Sequence, residues 1–432
     1  MRTLGLFYFA LGKGGIERGA SFQIPLFASL GWRVIVFTNR PSASSDYATQ
    51  ADFEHVCLGE FDGDVVRRRR RVAEELRAHG VTFVIHHDAY VPASLEADLL
   101  GARDAGTKAV VFWHSVFSHF LLRRGRQRET RDLWEACRLA EAVVTLTRTD
   151  ATFFRMYGVP AVAIPYADPD LMNGFERRDW PKRVVWMGRF VELKQPDMAL
   201  RIFGRVLARH PDAELVLLGD GENEGALRDY VSARPALARA VRFEGFQNDV
   251  RPYLEQAGVG LVTSRFEGYC HAVVEMKMAS IPVVAFDLPW LDTLKDGSGA
   301  VTVPQGDVAA AADAVCRLLD DAAERRRQGD RARISFREIT STDQPVAYAE
   351  LFRRVTTGDF ADWRIPEVDL QPLVLKTLAE HIEEALRLAE GSRDEAWRQD
   401  RSYRLGRLVT WPYRAIKRLL SVLLRRGLRV TG

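Results

Sequence analysis

The feature that most restricts the fold is an alternation that runs through the chain twice. Short apolar runs are separated by stretches whose apolar residues recur at helical spacing. In the first half the runs lie at 3–9, 32–38, 54–58, 81–86, 108–113, 142–146 and 161–164. Strands separated in this way by helices read as a parallel α/β sheet with both faces covered. The segment "IPYADPDLMNGFERRDWPKR", 164–183, interrupts the pattern with prolines and turn formers and reads as a linker. The alternation then restarts with "RVVWMG", "AELVLLG", "AVRFEG", "GVGLVTS", "IPVVAFD" and "AVTVP". A chain of 432 residues is too long for one core. It suits two doubly wound units of about 160 residues each, plus additions. Such sheets bind ligands at the carboxyl ends of their strands, so two of them facing each other would enclose a deep cleft.

Composition excludes several classes. The net charge of +3 creates no global field for nucleic acid. Cys57, Cys137, Cys270 and Cys316 are far apart and form no C-x-x-C, so neither a zinc knuckle nor a disulfide framework is expected, which fits a reducing compartment. The start runs straight into a strand, so no signal peptide is expected, and no apolar run approaches the roughly 20 residues that span a bilayer.

"LFYFALGKGGIERGA", 6–20, opens like a nucleotide site: a strand, then Gly12, Gly14 and Gly15, then a helix. The G-x-G-x-x-G fingerprint fails at Glu17, and no acidic residue ends the second strand, where Thr38, Asn39 and Arg40 stand. No G-x-x-x-x-G-K-[ST] occurs either.

The second unit is richer. In "SRFEGYCHAVVEMKMASIPVVAFD", Glu267 sits in a turn after a strand, and Glu275 follows eight residues later in the second turn of a helix. The backbone N–H groups around Tyr269, Cys270 and His271 would lie at that helix's N-terminus, where a phosphate is favoured. Taken alone, two such glutamates also fit a solvated helix face. In "MGRFVELKQPDMA", Gly188 and Arg189 end a strand and Lys194 precedes a helix. Both cations can face a diphosphate or can be surface charges on a loop. "LLGDGENEG" places Gly219, Asp220 and Gly221 in a turn, and Phe246 to Asp249 form another, where backbone groups can read a base.

In this order and spacing the segments resemble the donor-binding domain of the retaining GT-B glycosyltransferases of family 4. That family carries G-R-x-x-x-x-K, G-x-G, a glycine turn ending in an acidic residue, and E-x7-E, here Gly188-Arg189 with Lys194, Gly219 to Gly221, Gly245 to Asp249, and Glu267 with Glu275. The resemblance covers residues 1–358. It implies two Rossmann-like domains, an acceptor-side domain at 1–165 and a donor-binding domain at 183–340, with a linker at 166–182 and a helix at 341–358 returning to the first domain. It also matches "GKGGIER" to the family's N-terminal loop, with Gly14 and Gly15 approaching the donor phosphates. By the resemblance Glu275 would bond the ribose hydroxyls and Glu267 the sugar hydroxyls, and Arg189 and Lys194 would stabilise the diphosphate. Phe246, Tyr269, Cys270 and His271 would complete the nucleotide site with Gly188 and Gly219. His114, in "VVFWHSVFSHF", matches the histidine beside the transferred sugar; a lone histidine after a strand also fits a structural role. His86 and His87 end a strand too and are expected at the same cleft mouth, on the acceptor side.

Where the family usually has Gly-Phe-Gly after the first glutamate, this chain has Gly268-Tyr269-Cys270; Met276 replaces a small residue, and Pro289 and Trp290 stand in the usual glycine-rich turn. These departures concern the donor sugar. The implied reaction moves a hexosyl group, with retention, from a UDP- or GDP-linked sugar to a glycan or lipid-linked acceptor hydroxyl, without cofactor or metal. The rivals are a bilobal sugar-nucleotide epimerase, a non-catalytic nucleotide- or glycan-binding scaffold, and a glycogen-type polymerase, for which Lys13-Gly14-Gly15 is only part of the expected K-x-G-G. The D-x-D strings Asp62-Gly63-Asp64 and Asp168-Pro169-Asp170 read as turns rather than as metal ligands.

Residues 360–432 read as a helical extension. Leu375, Leu378, Ile382, Ala385 and Ala389 form a short heptad-like seam, and 373–396 is a candidate for self-association. In 402–430, Ile416, Leu419, Leu420, Leu423 and Leu424 share one helical face, with Arg414, Arg418 and Arg425 opposite and Trp411 and Tyr413 at the entry. Such a helix is expected on an anionic membrane surface, which places the chain in the cytoplasm, peripheral on the inner face of the cell membrane. Packing on the protein's own domains or on a partner subunit is the other reading.

Overall fold

The structure, a computed structural model, describes residues 2–12, 15–41, 53–115, 127–156, 158–166, 182–288, 291–295 and 297–363. All of them lie in one compact unit. The seam at 373–396, the basic segment 402–430, Asp168 to Asp170, Gly14, Pro289 and Trp290 lie outside the described residues.

Two parallel sheets form where the apolar runs stand. The first holds β1 (Arg2–Tyr8), β2 (Trp32–Thr38), β3 (Glu54–Cys57), β4 (Val81–His86), β5 (Lys108–Trp113), β6 (Ala142–Thr145) and β7 (Ala161–Ala163), in the order β3-β2-β1-β4-β5-β6-β7. The second holds β8 (Arg183–Met187), β9 (Glu214–Leu218), β10 (Val241–Gly245), β11 (Val259–Val262), β12 (Val283–Phe286) and β13 (Ala300–Val303), in the order β10-β9-β8-β11-β12-β13. Each chain of strands winds outward from its first member, then returns to that member's other side. The reversal falls between β1 and β4 in one sheet and between β8 and β11 in the other. At a reversal the two βα connections leave on opposite faces and open a crevice at the strand ends.

Both faces of the first sheet are buried. One carries Phe7, Ile35, Phe37, Val84 and Val111 under the helices Val65–Ala78 and Pro92–Asp104; the other carries Leu4, Leu6, Val36, Ile85 and Val110. The helix Gln344–Thr357, late in the chain, closes this second face with Tyr348, Leu351, Phe352 and Val355. Gln23 Nε2 donates to the Tyr348 hydroxyl at 2.7 Å, and Gln344 Nε2 donates to the Pro165 carbonyl at 2.7 Å. The end of the chain's second half thus packs on the first sheet.

A buried charge cluster ties the helices to the strand ends. Arg68 Nε donates to Asp98 Oδ1 at 2.5 Å, and its other nitrogens donate to Asn39 Oδ1 at 2.6 Å and to the Gly59 carbonyl at 2.9 Å. Burial opposes the Asp98 charge, but bonds from His86 and Arg68 outweigh it and hold the carboxyl below its ordinary range. Asp98 does not line the cleft described below. Removing it strands a buried guanidinium, so Asp98→Ala is expected to cost about 3–5 kcal/mol, measured by urea unfolding.

Candidate functional site

The connections at the two reversal points face one another across a cleft of about 600 Å³. Its walls are built from the βα turns after β5, β8, β9, β10 and β11, together with the start of the helix Gly15–Ser29. Gly15, His114, Gly188, Arg189, Lys194, Gly219, Phe246, Glu267, Tyr269, Cys270, His271 and Glu275 all line it. Gly14 is outside the described residues.

The glycine spacing has a steric cause. Gly188 N–H donates to the Leu218 carbonyl at 3.0 Å, and Gly219 N–H donates to the Gly245 carbonyl at 2.7 Å. Three neighbouring turns are therefore laced backbone to backbone. Gly219 has φ of 133°, and a Cβ there would overlap the Gly188 carbonyl oxygen. Only glycine permits this approach. Across the cleft, a Cβ on Gly268 would overlap the His114 carbonyl oxygen, and the Tyr269 hydroxyl donates to the Tyr166 carbonyl at 2.6 Å. These contacts join the turn after β11 to the first sheet. They also bring together the starts of two helices, since a Cβ on Gly15 would lie 3.4 Å from His271 Cδ2. Gly15 begins one helix and His271 begins the other, His271–Met278. Both positive helix ends thus meet at one place, a setting for an anion.

The side chains add charge of both signs. Lys194 Nζ donates to the Glu267 carboxylate oxygens at 2.6 and 2.7 Å, and Ser264 Oγ donates to Glu267 Oε1 at 2.6 Å. Burial works against the Lys194 charge, but the Glu267 carboxylate overcomes it and leaves the ammonium above its ordinary value. The sequence reading gave these two residues separate tasks; the structure joins them. Cys270 holds φ of 60° and ψ of 74° at the start of the helix, a conformation that costs a side-chain-bearing residue roughly 1 kcal/mol. It stands where the family pattern has glycine. Burial, reinforced by Glu267, pushes its thiol well above the ordinary range.

His114 lies at the end of the strand β5 with its ring stacked on Phe112 at 4.6 Å. Burial, then the neighbouring His271, push it down to about 3. That leaves the ring neutral at physiological pH, able to offer a hydrogen bond and not a charge. Its Nε2 is 2.8 Å from His87 Nδ1.

The expectation that His86 and His87 face the cleft mouth is corrected. Neither lines the cleft. Successive residues of an extended strand point to opposite faces. His86 turns under the sheet, where its Nε2 lies 2.9 Å from Asp98 Oδ2. His87 turns the other way and is sandwiched between Tyr8, at 4.4 Å, and Phe112, at 5.0 Å, one ring behind His114. Asp64 caps the helix Val65–Ala78 by accepting from Arg67 N–H at 2.9 Å, and Asp62 accepts from Asp64 N–H at 3.1 Å, so this D-x-D is a turn. Asp220 and Gln247, in the turns that the sequence marked after β9 and β10, line the cleft too, and so does Tyr90, which sequence reasoning passed over. Tyr90 follows β4 within a few residues, and that position was the available signal.

The chain matches the family model for glycosyl transferases group 1 over residues 181–321 and that for glycosyltransferase family 4 over 13–166. It is 30% identical over 226 residues to an exopolysaccharide phosphotransferase of Streptomyces coelicolor, covering 50% of this chain and 24% of that one. It is 32% identical over 151 residues to LpsE, a lipopolysaccharide core biosynthesis glycosyltransferase of Rhizobium meliloti, covering 34% and 42%. The chain thus spans less than half the length of these two relatives. Among solved structures, S. aureus TarM with UDP superposes with a TM-score of 0.67 at 12% identity, over 82% of this chain and 100% of that one. The pneumococcal O-GlcNAc transferase GtfA with UDP and GlcNAc gives 0.68 at 11%, over 82% and 99%.

Gly268→Ala tests the contact between the lobes. Forcing a methyl group against the His114 carbonyl is expected to cost about 1–3 kcal/mol and lower Tm. Gly204→Ala, in the helix Pro196–Arg209, where the added carbon meets nothing within 4 Å beyond its own helix backbone, should raise Tm slightly.

Proposed function

The chain belongs to the group 1 glycosyltransferases of the GT-B fold, and from that membership we propose that it moves a hexosyl group, with retention, from a UDP- or GDP-linked sugar to the hydroxyl of a glycan or lipid-linked acceptor during cell-surface polysaccharide or glycolipid synthesis. The observation that carries this reading is the convergence on one cleft of two helix N-termini, Arg189 and Lys194 with two carboxylates, Glu267 and Glu275. A diphosphate supplies the negative charge that the first set favours, and a sugar and a ribose supply the hydroxyls that the second set bonds. UDP occupies TarM and GtfA, and the relative LpsE works in lipopolysaccharide assembly, which supports both the donor class and the setting. Transferase relatives on both halves of the chain weigh against an epimerase or a scaffold.

In this reaction the bond from the anomeric carbon to the phosphate oxygen breaks, and its electron pair goes to the diphosphate. The acceptor oxygen bonds the anomeric carbon on the same face, and its proton passes to the departing phosphate oxygen. Charge therefore develops on the diphosphate, where Arg189, Lys194 and the backbone N–H groups at Gly15 and His271 would meet it. Such preorganised groups contribute about 3–4 kcal/mol each when essential. They take the part that a divalent cation plays in metal-dependent transferases. Lys194 would be shared between Glu267 and the diphosphate, and neutral His114 would hydrogen-bond the sugar. Glu275 would hold the ribose.

Glu275→Ala and Lys194→Ala are each expected to lower turnover at least about a hundredfold with cooperative unfolding retained. Release of nucleotide diphosphate from UDP-glucose, UDP-N-acetylglucosamine and GDP-mannose measures this. Near-normal turnover of either variant at saturating donor would refute this placement of the nucleotide.

Among the described residues no helix is long and apolar enough to cross a membrane. The basic, apolar segment 402–430 supports attachment to an anionic membrane surface instead, each cation near the surface adding about 1 kcal/mol. The full chain should sediment with anionic liposomes, and a chain ended before Asp400 should not. Equal sedimentation of both would remove the membrane assignment.

A further inference from the structure

A second cavity, of about 440 Å³, lies behind Tyr269, which together with Leu146 also lines the donor-side cleft. One wall comes from the first lobe, with Thr147, Arg148 and Pro165. The other comes from the second, with Lys295, Ser298, Arg331 and Ser335. Glu338 is the one carboxylate among its lining residues.

Beneath the second wall stands Lys277, on the helix His271–Met278 and 0% exposed. Its Nζ is 2.7 Å from Ser298 Oγ and 3.3 Å from Ser335 Oγ. Among the described residues no carboxylate offsets its burial. An ammonium has donors only. In that protonated form both serine oxygens accept from it, and both hydroxyl hydrogens are left to donate elsewhere. Both serines line the cavity, so the buried cation polarises two O–H groups on its wall. Arg331, Arg148 and Lys295 add positive charge around the same space.

We propose that this cavity is an anion site, separate from the donor cleft, that takes the phosphate group of a phosphomonoester or phosphodiester on Ser298, Ser335 and Arg331, with Lys277 as the buried countercharge. Burial without a countercharge pushes Lys277 down to about 7, and a bound anion would restore its proton. Residues from both lobes form the cavity, and Lys277 follows Glu275 by two positions on one helix. A ligand here would accordingly bear on the spacing of the lobes. The assignment does not depend on glycosyl transfer.

The test is calorimetric titration of the full chain with inorganic phosphate, glycerol 3-phosphate and a short-chain phosphatidate, in parallel on Arg189→Ala, Arg331→Ala, Ser335→Ala and Lys277→Met. The expected result is saturable binding that survives Arg189→Ala and weakens at least tenfold in Arg331→Ala and Ser335→Ala. Above the Lys277 value, binding should also take up a proton, seen as a dependence of the heat on the buffer, and Lys277→Met should abolish that dependence. Thermal melting checks that each variant is folded. Tighter binding of the phosphatidate assigns a lipid headgroup, and equal binding of all three a free phosphate. No saturable binding to the wild type, or binding lost in Arg189→Ala and unchanged in Arg331→Ala and Ser335→Ala, overturns the proposal.

Discussion

A parallel sheet covered on both faces has to reverse its winding once, and this requirement determines where the chemistry of the chain can sit. Helices that cross on one face after one strand and on the other face after its neighbour leave a gap at the carboxyl edge between them. Each sheet here has a single such gap, at β1/β4 and at β8/β11. Two gaps turned toward each other make one cleft with walls from distant parts of the chain. Its depth comes from topology, and its contents come from which residues follow each strand. Gly188, Arg189 and Lys194 follow β8, and Glu267 to Cys270 follow β11.

Electrostatics then acts in a confined space. The Lys194–Glu267 pair is held by a serine hydroxyl and by near-complete burial of the carboxylate. Such a pair gains little net stability, because desolvation offsets much of the attraction. Its value lies in keeping both charges present, at a fixed separation, where a polar ligand can exchange partners with them. The histidines follow the opposite rule. His87 and His114 stand among aromatic rings and other histidines, and burial drives both neutral. The cleft therefore presents fixed charge on the second lobe and, at His114, a neutral hydrogen-bonding ring on the first.

Much of this was legible in the residues before any geometry. Every strand was placed to within a few positions, because parallel strands buried on both faces are unbroken apolar runs and their borders are sharp. The glycines of the donor-side turns were legible as well, since backbone contact such as that between Gly188 and Gly219 tolerates nothing larger. Direction was harder to read. His86 and His87 look alike in sequence, and only the alternation of the strand sends one to Asp98 and the other to His114. Long-range pairing was invisible: nothing local ties Lys194 to Glu267, or Lys277 to Ser335. Lys277 in particular reads as one more charge on a helix, and it is the packing of Ser298 and Ser335 over it that makes it a buried cation.

The lobes are coupled by rings as well as by backbone. From Tyr8 the stack runs through His87, Phe112 and His114 to Tyr166, and from Tyr166 to His271 at the start of the second lobe's helix. Burial keeps the His87 and His114 rings of this stack neutral, which spares it the desolvation cost of a buried charge. Gly19 sits against Tyr166 so closely that a Cβ would overlap its ring, which seats the tyrosine on the helix Gly15–Ser29. A shift of His271 would thus be felt at Tyr166, and from there at His114 and at the first helix together. The backbone contact at Gly268 then limits how closely the two lobes can approach, because even a Cβ there would overlap the His114 carbonyl oxygen.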